Sequence, residues 1–443
     1  MLAKTAPEDR TVWLLIGGVL LLALLFLPFS QLVLGVRYDY TLRTVALGGA
    51  LLGVVSGVLG SFAVLRQQSL MGDALSHAAL PGVAIAFLLA GRELAFLLIG
   101  AFIASWLGVL FIRAVTTTTR IKQDAAMGIV LAAWFAAGIA LLAYIQARPD
   151  ASQAGLDTFI FGQAASIVES DVRLIAIVGT LSFAVLALFW KEFKLLTFDA
   201  EFAGANGVRV SILNMLLSTL IVVAIVLGLQ LAGVILMVGM LIAPGIAARQ
   251  WTNKLTQMVV LAAIFGAFAG GVGAIISAVD TDIPTGPMII VVAFLIVLLS
   301  IGLAPGRGLV WRTLRQRGDR RRFAAQTVLS DMFHYAYDHG TLDTAVPQTF
   351  LYGVSGNVAA LGLTQLEQRG EVRQVNGGWQ LTEAGAARAA QSAQNDLLWD
   401  IYRQYNEELD LPLIAEDRRQ DIRKYLPDTA VAKLQQKLNE GME

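Results

Sequence analysis

Two side chains with metal-binding chemistry stand four residues apart in an otherwise apolar stretch. Asp73 and His77 lie within SLMGDALSHAALPG, and a spacing of four places both side chains on one face of a helix. A carboxylate paired with an imidazole suits a divalent ion such as manganese, iron or zinc. The pair therefore predicts a metal contact. The alternative is that both residues lie in a cytoplasmic loop and pair only with each other.

The same stretch ends in Pro81-Gly82. Because proline lacks a backbone N–H, it leaves one helix carbonyl without its usual partner, and broken helices inside a membrane usually line a cavity. We therefore expect a broken helix at Pro81. Two protein ligands make an incomplete site, which suits a transporter because the ion must leave again. Two subunits that meet on a two-fold axis would bring two such pairs together.

Two further stretches are candidate sites, namely an acidic region around Asp280 and a polar loop that begins at Lys191. Asp280 and Asp282 flank the turn Pro284-Thr285-Gly286-Pro287, where they could meet a cation, but residues of these types form turns readily and an ordinary turn is favoured. The loop Lys191–Val210 predicts a short helix over Asp199–Asn206, capped by Asp199 and ended near Gly207.

This predicted loop helix is a candidate contact for another protein. Ala203 and Gly204 are small enough to let a partner approach; the alternative is a solvated loop helix. No Gly-x-x-x-x-Gly-Lys-Ser/Thr phosphate loop occurs anywhere in the chain. Any ATP-driven work would therefore have to come from a separate subunit, and the chain itself is not expected to be an enzyme.

The composition indicates which elements hold these residues. Of 443 residues, 56% are hydrophobic and 15% are charged, against about 25% charged in soluble domains. An ordinary soluble enzyme is therefore excluded, and the absence of cysteine excludes disulfides, thiolate metal sites and iron–sulfur clusters. A bilayer core takes roughly 20 apolar residues as helix. The ten expected spans are Thr11–Phe29, Thr44–Leu65, Leu75–Ala90, Leu94–Ile112, Ala125–Ile145, Leu174–Trp190, Ile212–Leu229, Leu231–Ala248, Met258–Val279 and Met288–Leu303.

The seventh and eighth spans come from one long apolar run. It is divided near Gly228, Gln230 and Gly233, because Arg209 and Arg249 flank its ends and favour the same side of the membrane. Cytoplasmic loops are enriched in Lys and Arg. Placing the N-terminus inside gives eleven basic residues inside and five outside. The sequence thus predicts a multi-pass protein of a bacterial plasma membrane with both termini in the cytoplasm.

Charge divides the chain into a transmembrane domain, residues 1–304, and a soluble tail. Residues 305–322 hold seven Arg and one Asp, a net charge of +6, and residues 323–443 carry a net charge of −7. Each Lys or Arg near an anionic inner leaflet contributes about 1 kcal/mol of attraction. Residues 305–322 are therefore predicted to form a juxtamembrane linker that lies against the membrane.

The transmembrane domain resembles the permease subunits of metal-type ABC importers, which take up manganese, zinc or iron. The resemblance covers nearly all of residues 1–304. Four stretches carry it, namely Ser69–Leu89, Asp199–Val210, Gly233–Arg249 and Asp282–Ile290.

The resemblance implies a polytopic all-α fold that pairs with an identical or sister permease. A separate ABC ATPase would bind its cytoplasmic loops, and an extracytoplasmic metal-binding protein would deliver the ion. Asp73 and His77 would face the translocation path, with no permanently bound cofactor and a transported divalent metal. The coupling helix that docks on the ATPase would comprise Asp199, Glu201, Ala203, Gly204 and Gly207. Structural roles would fall to Pro81, Gly82, Pro244, Pro284 and Gly286.

The sequence of the tail predicts three helices, over Phe323–His339, Asp343–Tyr352 and Gly356–Arg369. A hairpin around Asn376-Gly377-Gly378 and a long helix over Thr382–Arg403 follow. This order is typical of an α+β winged-helix domain, assigned to residues 323–403. It resembles the iron-dependent repressor family, including LTEAG at Leu381–Gly385 and LLWDIY at Leu397–Tyr402. Residues 404–443 resemble the dimerising extension of that family.

Gene control is not expected of this tail. The helix that would contact DNA is Ser355–Arg369. It contains one cation, Arg369, and one opposing negative charge, Glu367, whereas phosphate contacts need several cations. The positions expected to hold the repressor metal are Glu416, Gln420, Arg423 and Lys424, which do not form such a site. The tail is interpreted as a regulatory or dimer-contacting module without a DNA partner. The alternatives for the whole chain are a secondary metal transporter and a membrane-tethered metal-responsive regulator.

Overall fold

The computed structural model describes residues 7–33, 38–147, 167–280, 283–305, 307–341, 344–375, 377–414 and 421–440. Several residues named above lie outside these ranges, namely Asp282, Asp343, Asn376, Glu416 and Gln420. The chain forms two compact units, Met1–Trp311 and Arg312–Glu443. The division between them falls inside the segment expected to be a linker.

The first unit is helical throughout its described part. Its elements are α1 (Pro7–Leu32), α2 (Tyr40–Leu65), α3 (Leu70–Ala90), α4 (Leu94–Thr118), α5 (Gln123–Gln146), α6 (Glu169–Leu188), α7 (Trp190–Phe198), α8 (Ala200–Ala205), α9 (Val210–Trp251), α10 (Leu255–Ser277) and α11 (Thr285–Leu303). Within the described ranges, nine helices are long and apolar enough to cross a membrane. These nine correspond to nine of the ten expected spans.

The remaining expected span, Leu231–Ala248, forms most of the second arm of α9. Helix α9 is interrupted at Gly233, where φ is 76° and ψ is 166°, a conformation that glycine adopts without steric cost. Residues nine apart on a straight helix lie about 13 Å apart, yet the side chain of Met237 fills the space that a Cβ at Gly228 would need. The chain therefore folds back at Gly233, and the expected division of the run is confirmed there. A tenth membrane crossing by this arm stays a prediction.

Helices α2 and α10 are held together by direct backbone contact. They run antiparallel, since residue numbers that increase along α2 pair with residue numbers that decrease along α10. The facing pairs are Gly49 with Gly270, Gly53 with Gly266 and Gly57 with Ala262. Small residues allow such close approach, which substitutes for the hydrophobic effect inside a membrane.

Helix α3 packs between α4 and α5 and continues without a break through Pro81 to Ala90. The expectation of a broken helix at this proline is therefore wrong. Neighbouring helices hold the segment in place. Gly82 lies against Gly100 of α4, and Gly138 of α5 lies against Leu80 and Pro81. This packing outweighs the single backbone hydrogen bond that a proline removes.

The second unit contains helices and one small sheet. Its helices are α12 (Leu309–Asp338), α13 (Gln348–Ser355), α14 (Ala359–Gln368), α15 (Glu383–Tyr405) and α16 (Asp428–Glu440), and its strands are β1 (Val346–Pro347), β2 (Val372–Val375) and β3 (Gly378–Leu381). The sheet is antiparallel in the order β1-β3-β2, with Val346 opposite Trp379 and Val372 opposite Leu381. The predicted hairpin is confirmed, and Gly377 adopts φ 95° at its turn.

Two boundaries in the second unit differ from expectation. Helix α12 begins at Leu309, so the basic segment is helical, which agrees with its Arg, Leu and Gln content. The segment expected to be helical from residue 343 instead forms β1 before α13 begins at Gln348. One core surrounds the sheet and includes Val328, Leu363 and Leu366. A separate core joins α15 to α16 around Trp399 and Leu434.

Candidate functional site

Asp73 and His77 lie in the first two turns of α3, not in a loop. The His77 Nε2 atom is 3.4 Å from Asp73 Oδ1, and the side chains are 18% and 36% exposed, respectively. The His77 ring meets the edge of Phe135 on α5 with 4.7 Å between ring centres. The pair therefore shares one face of α3, next to α5, as the spacing predicts.

The orientation of α3 is set on the opposite side of the helix. Leu75, Ala78 and Ala79 are completely buried, and the Ser105 hydroxyl of α4 donates a 2.9 Å hydrogen bond to the carbonyl of Leu75. This contact ties α4 to α3 at the turn between Asp73 and His77. The two polar side chains consequently face away from α4.

The second ring nitrogen of His77 has no hydrogen-bond partner within the described residues. Nδ1 is buried, and an unpaired buried polar atom costs about 1–3 kcal/mol. Such an atom in a native protein calls for a partner from outside the chain. A neutral imidazole nitrogen is also the form that binds a metal ion.

The two donors do not form a complete metal site by themselves. No group of three or more His, Cys, Asp or Glu side chains that could hold a metal ion occurs in the part of the chain that the structure describes. Structural zinc sites take four ligands, and catalytic ones use three protein ligands. Any site at Asp73 and His77 therefore needs donors from elsewhere.

The predicted loop helix is present as α8. The Asp199 side chain caps it by accepting a 2.8 Å hydrogen bond from the N–H of Phe202, and Gly207 follows with φ 78°. Glu201 and Gly204 are exposed. Ala203, however, is fully buried, so this residue is not available to a partner, contrary to expectation.

Two exposed aromatic side chains, one at the end of α7 and one within α8, are not among the site residues predicted from the sequence. Phe198 and Phe202 are 56% and 55% exposed. Two phenylalanines close together in a loop between two predicted spans are the signal that would have identified them. Asp199, with φ −152° and ψ 88°, separates the two short helices that hold them. Large exposed apolar side chains outside the bilayer are typical anchors for a partner protein.

Helix α7 holds α8 against the bundle. Its Phe193 is fully buried, and the Phe193 ring centre lies 6.3 Å from that of Phe62, near the end of α2. Trp190 packs edge-on against the same Phe62 ring at 6.1 Å. Helix α7, which directly precedes α8, is therefore fixed to α2 by aromatic contacts.

Pro244, Pro284 and Gly286, the other residues expected to have structural roles, lie within helices or at a helix start. Pro244 is buried within the second arm of α9, which continues to Trp251. Pro284 immediately precedes α11, Gly286 is buried in its first turn, and Thr285 makes a 2.8 Å hydroxyl contact with Ser277 at the end of α10. Pro284, Thr285 and Gly286 thus lie where α10 is joined to α11, whereas Pro244 lies within α9.

In the described part of the chain, nine helices are long and apolar enough to cross a membrane, several of them pack through glycine, and one of them holds Asp73 beside His77. These features define a polytopic membrane protein and are typical of the transport class. The chain belongs to the ABC 3 transport family, whose model matches residues 38–304. It is accordingly a membrane permease subunit and not an enzyme, as its relatives are membrane proteins of transport systems.

Individual relatives match at substantial identity. The chain is 41% identical over 383 residues to the manganese transport system membrane protein MntC of Bacillus subtilis, covering 86% of this chain and 88% of that protein. It is 47% identical over 280 residues to the zinc transport system membrane protein TroC of Treponema pallidum, covering 63% and 94%. The alignment with the Bacillus protein must extend beyond residue 304, so the likeness includes part of the second unit.

A solved structure has the same fold over the first unit. PsaBC from Streptococcus pneumoniae in complex with Fab matches with a TM-score of 0.56 and 31% identity, covering 66% of this chain and 98% of the matched chain. About two thirds of the chain therefore shares its fold with an experimentally determined structure.

Proposed function

We propose that this chain is the permease subunit of an ATP-driven importer for a divalent transition metal, either manganese, zinc or iron. The observation that carries the proposal is the Asp73–His77 pair with its unpartnered Nδ1, held inside a helix of the bundle. Relatives named for manganese and zinc transport support this class of cargo. All three ions accept carboxylate and imidazole ligands.

A second permease subunit, identical or sister, completes the metal site in this proposal. Asp73 and His77 lie on a partly exposed face next to α5, and most of the hydrophobic span of α5 is not buried within the chain. An apolar helix face of this kind can be covered by lipid or by another subunit. Two such pairs would supply four donors, enough for a transient site from which the ion can leave.

Coupling to a separate ABC ATPase is assigned to residues 199–207. Asp199, Glu201, Gly204 and Gly207 are exposed, and Phe198 and Phe202 extend the contact surface with apolar area. Buried Ala203 supports α8 from within. An extracytoplasmic metal-binding protein would deliver the ion at the opposite end, in a bacterial plasma membrane with both chain termini in the cytoplasm.

The second unit is proposed to be a winged-helix module with a regulatory or dimer-contacting role. The order of α13, α14, the β2–β3 hairpin and α15 supports this assignment. Helix α14, at the position of a DNA-reading helix, contains no Lys or Arg, and Arg369 follows as its C-cap. A DNA partner is therefore not proposed.

Cellular metal content tests the transport function. Cells that express the whole transport system with the double variant Asp73→Ala/His77→Ala should lose accumulation of one metal, as measured by elemental mass spectrometry at matched membrane expression. Asp124→Ala is the matched control, because this exposed carboxylate lies in the first turn of α5. Unchanged content of manganese, zinc and iron in the double variant would refute the assigned site.

A further inference from the structure

A cavity lies at the end of the bundle where α2 and α4 end and α3, α5 and α9 begin. Its volume is about 500 Å³, within the range of small-molecule sites. Its charged lining side chains are Arg66 and Arg113, and none of the residues that line it is acidic. A metal cation would be repelled from this cavity, which therefore does not belong to the proposed metal path.

Both arginines are fixed against the first turn of α9. Arg66 donates a 2.5 Å hydrogen bond to Asn214 Oδ1, and Arg113 donates to the hydroxyl and carbonyl oxygens of Ser211. A guanidinium has five N–H donors, so each retains donors that can face the cavity. Burial lowers the pKa of the Arg66 guanidinium, and a bound anion would offset this loss of solvation.

A largely buried residue presents its side-chain amide to the cavity. Gln68 is 8% exposed and lines the cavity, and its side-chain amide makes no hydrogen bond with any described residue. Helix α9 also begins at this cavity with Val210 and Ser211, and the N-terminus of a helix favours negative charge. Two guanidinium groups, an amide and a helix N-terminus thus converge on one volume.

We infer that this cavity binds a phosphate-type oxyanion through Arg66, Arg113 and Gln68. Met71, Met127 and Met215 add an apolar wall, which suits a phosphate that carries an organic portion. The phosphate belongs either to the headgroup of an anionic phospholipid or to a free phosphate compound. Because α8 and α9 are separated by four residues, an anion that fixes the start of α9 also stabilises the segment proposed to contact the ATPase.

Thermal unfolding of the full-length chain in lipid nanodiscs tests the site. In phosphatidylcholine nanodiscs, inorganic phosphate at constant ionic strength should raise the unfolding temperature of the wild type in a saturable manner, as a ligand specific for the folded state does. The second arm replaces part of the phosphatidylcholine with phosphatidylglycerol. Stabilisation by phosphate identifies a free oxyanion, whereas stabilisation by phosphatidylglycerol alone identifies a lipid headgroup.

Substitutions at the cavity separate binding from general charge effects. Arg113→Gln should weaken binding of the probe that stabilises the wild type by about tenfold or more, since it removes a charge-assisted contact. Gln68→Leu should weaken it without affecting folding, because the amide has no partner within the described chain. Arg43→Gln is the control, since Arg43 lies at the other end of α2 and is exposed. The inference is overturned if neither probe stabilises the wild type, or if all variants respond equally.

Discussion

Gly53 of α2 and Gly266 of α10 approach so closely that a Cβ on either residue would overlap the carbonyl oxygen of the other. The obstacle is backbone, which cannot rotate away as a side chain can. Gly266→Ala should therefore force the two helices apart and destabilise the first unit by about 2 kcal/mol or more, at the upper end of overpacking effects. The unfolding temperature in detergent or nanodiscs measures this loss.

Gly271→Ala on the same helix is the matched control for Gly266→Ala. A Cβ at Gly271 would meet only Ala50, at an ordinary contact distance of 3.8 Å. Because alanine is favoured over glycine in a helix interior by roughly 0.5–1 kcal/mol, this variant should be neutral or slightly stabilised. Equal destabilisation of both variants would mean that backbone contact does not hold α2 against α10.

The incomplete ligand set predicts the metal stoichiometry of the assembled transporter. If two Asp73–His77 pairs form one site, the purified permease–ATPase complex should bind one transition-metal ion per two permease chains. Elemental analysis after equilibrium dialysis measures this ratio, and His77→Ala should reduce binding about tenfold or more, as expected for the loss of a direct ligand. One ion per chain, or binding that survives Asp73→Ala/His77→Ala, would contradict a shared site.

Hydropathy and short-range signals predicted much of this architecture. The nine candidate spans within the described ranges, the Asp199 cap of α8 and the hairpin at Gly377 depend on residues close together in sequence. The continuity of α3 through Pro81 could not be predicted in this way, because it depends on packing against Gly100 and Gly138 from other helices. Local propensity was outweighed there by tertiary contact.

The features that sequence reasoning missed depend on contacts between distant positions. Arg66 and Arg113 both contact the first two turns of α9, through residues about 100 to 150 positions away in the sequence. The small size of Ala203 predicts that a partner can approach it, yet the residue is buried, because burial depends on what packs over it. The sequence of this chain alone contains no signal for either contact.

The exposed aromatic pair beside α8 predicts the strongest contact with the ATPase. Phe202→Ala should weaken association of the permease with its ATPase by about 2 kcal/mol, or about thirtyfold, as truncation of a central aromatic anchor does. Phe294→Ala on α11 is the control, because Phe294 is similarly exposed at 56% but lies within a predicted span. Co-purification and permease-stimulated ATP hydrolysis report the effect, and equal behaviour of the two variants would argue against the anchor.

The separate cores of the second unit predict that it does not select the cargo. Asp73 and His77 belong to the first unit, and the tail cores around Val328 and Trp399 are built from its own helices and sheet. A chain that ends after residue 322 should therefore keep the metal preference of the full chain, while its total uptake or its assembly with the ATPase changes. Competition uptake assays with manganese, zinc and iron measure the preference. A changed ranking of the three ions would assign part of the selectivity to the tail, because ligand type and geometry, and not affinity alone, distinguish these metals.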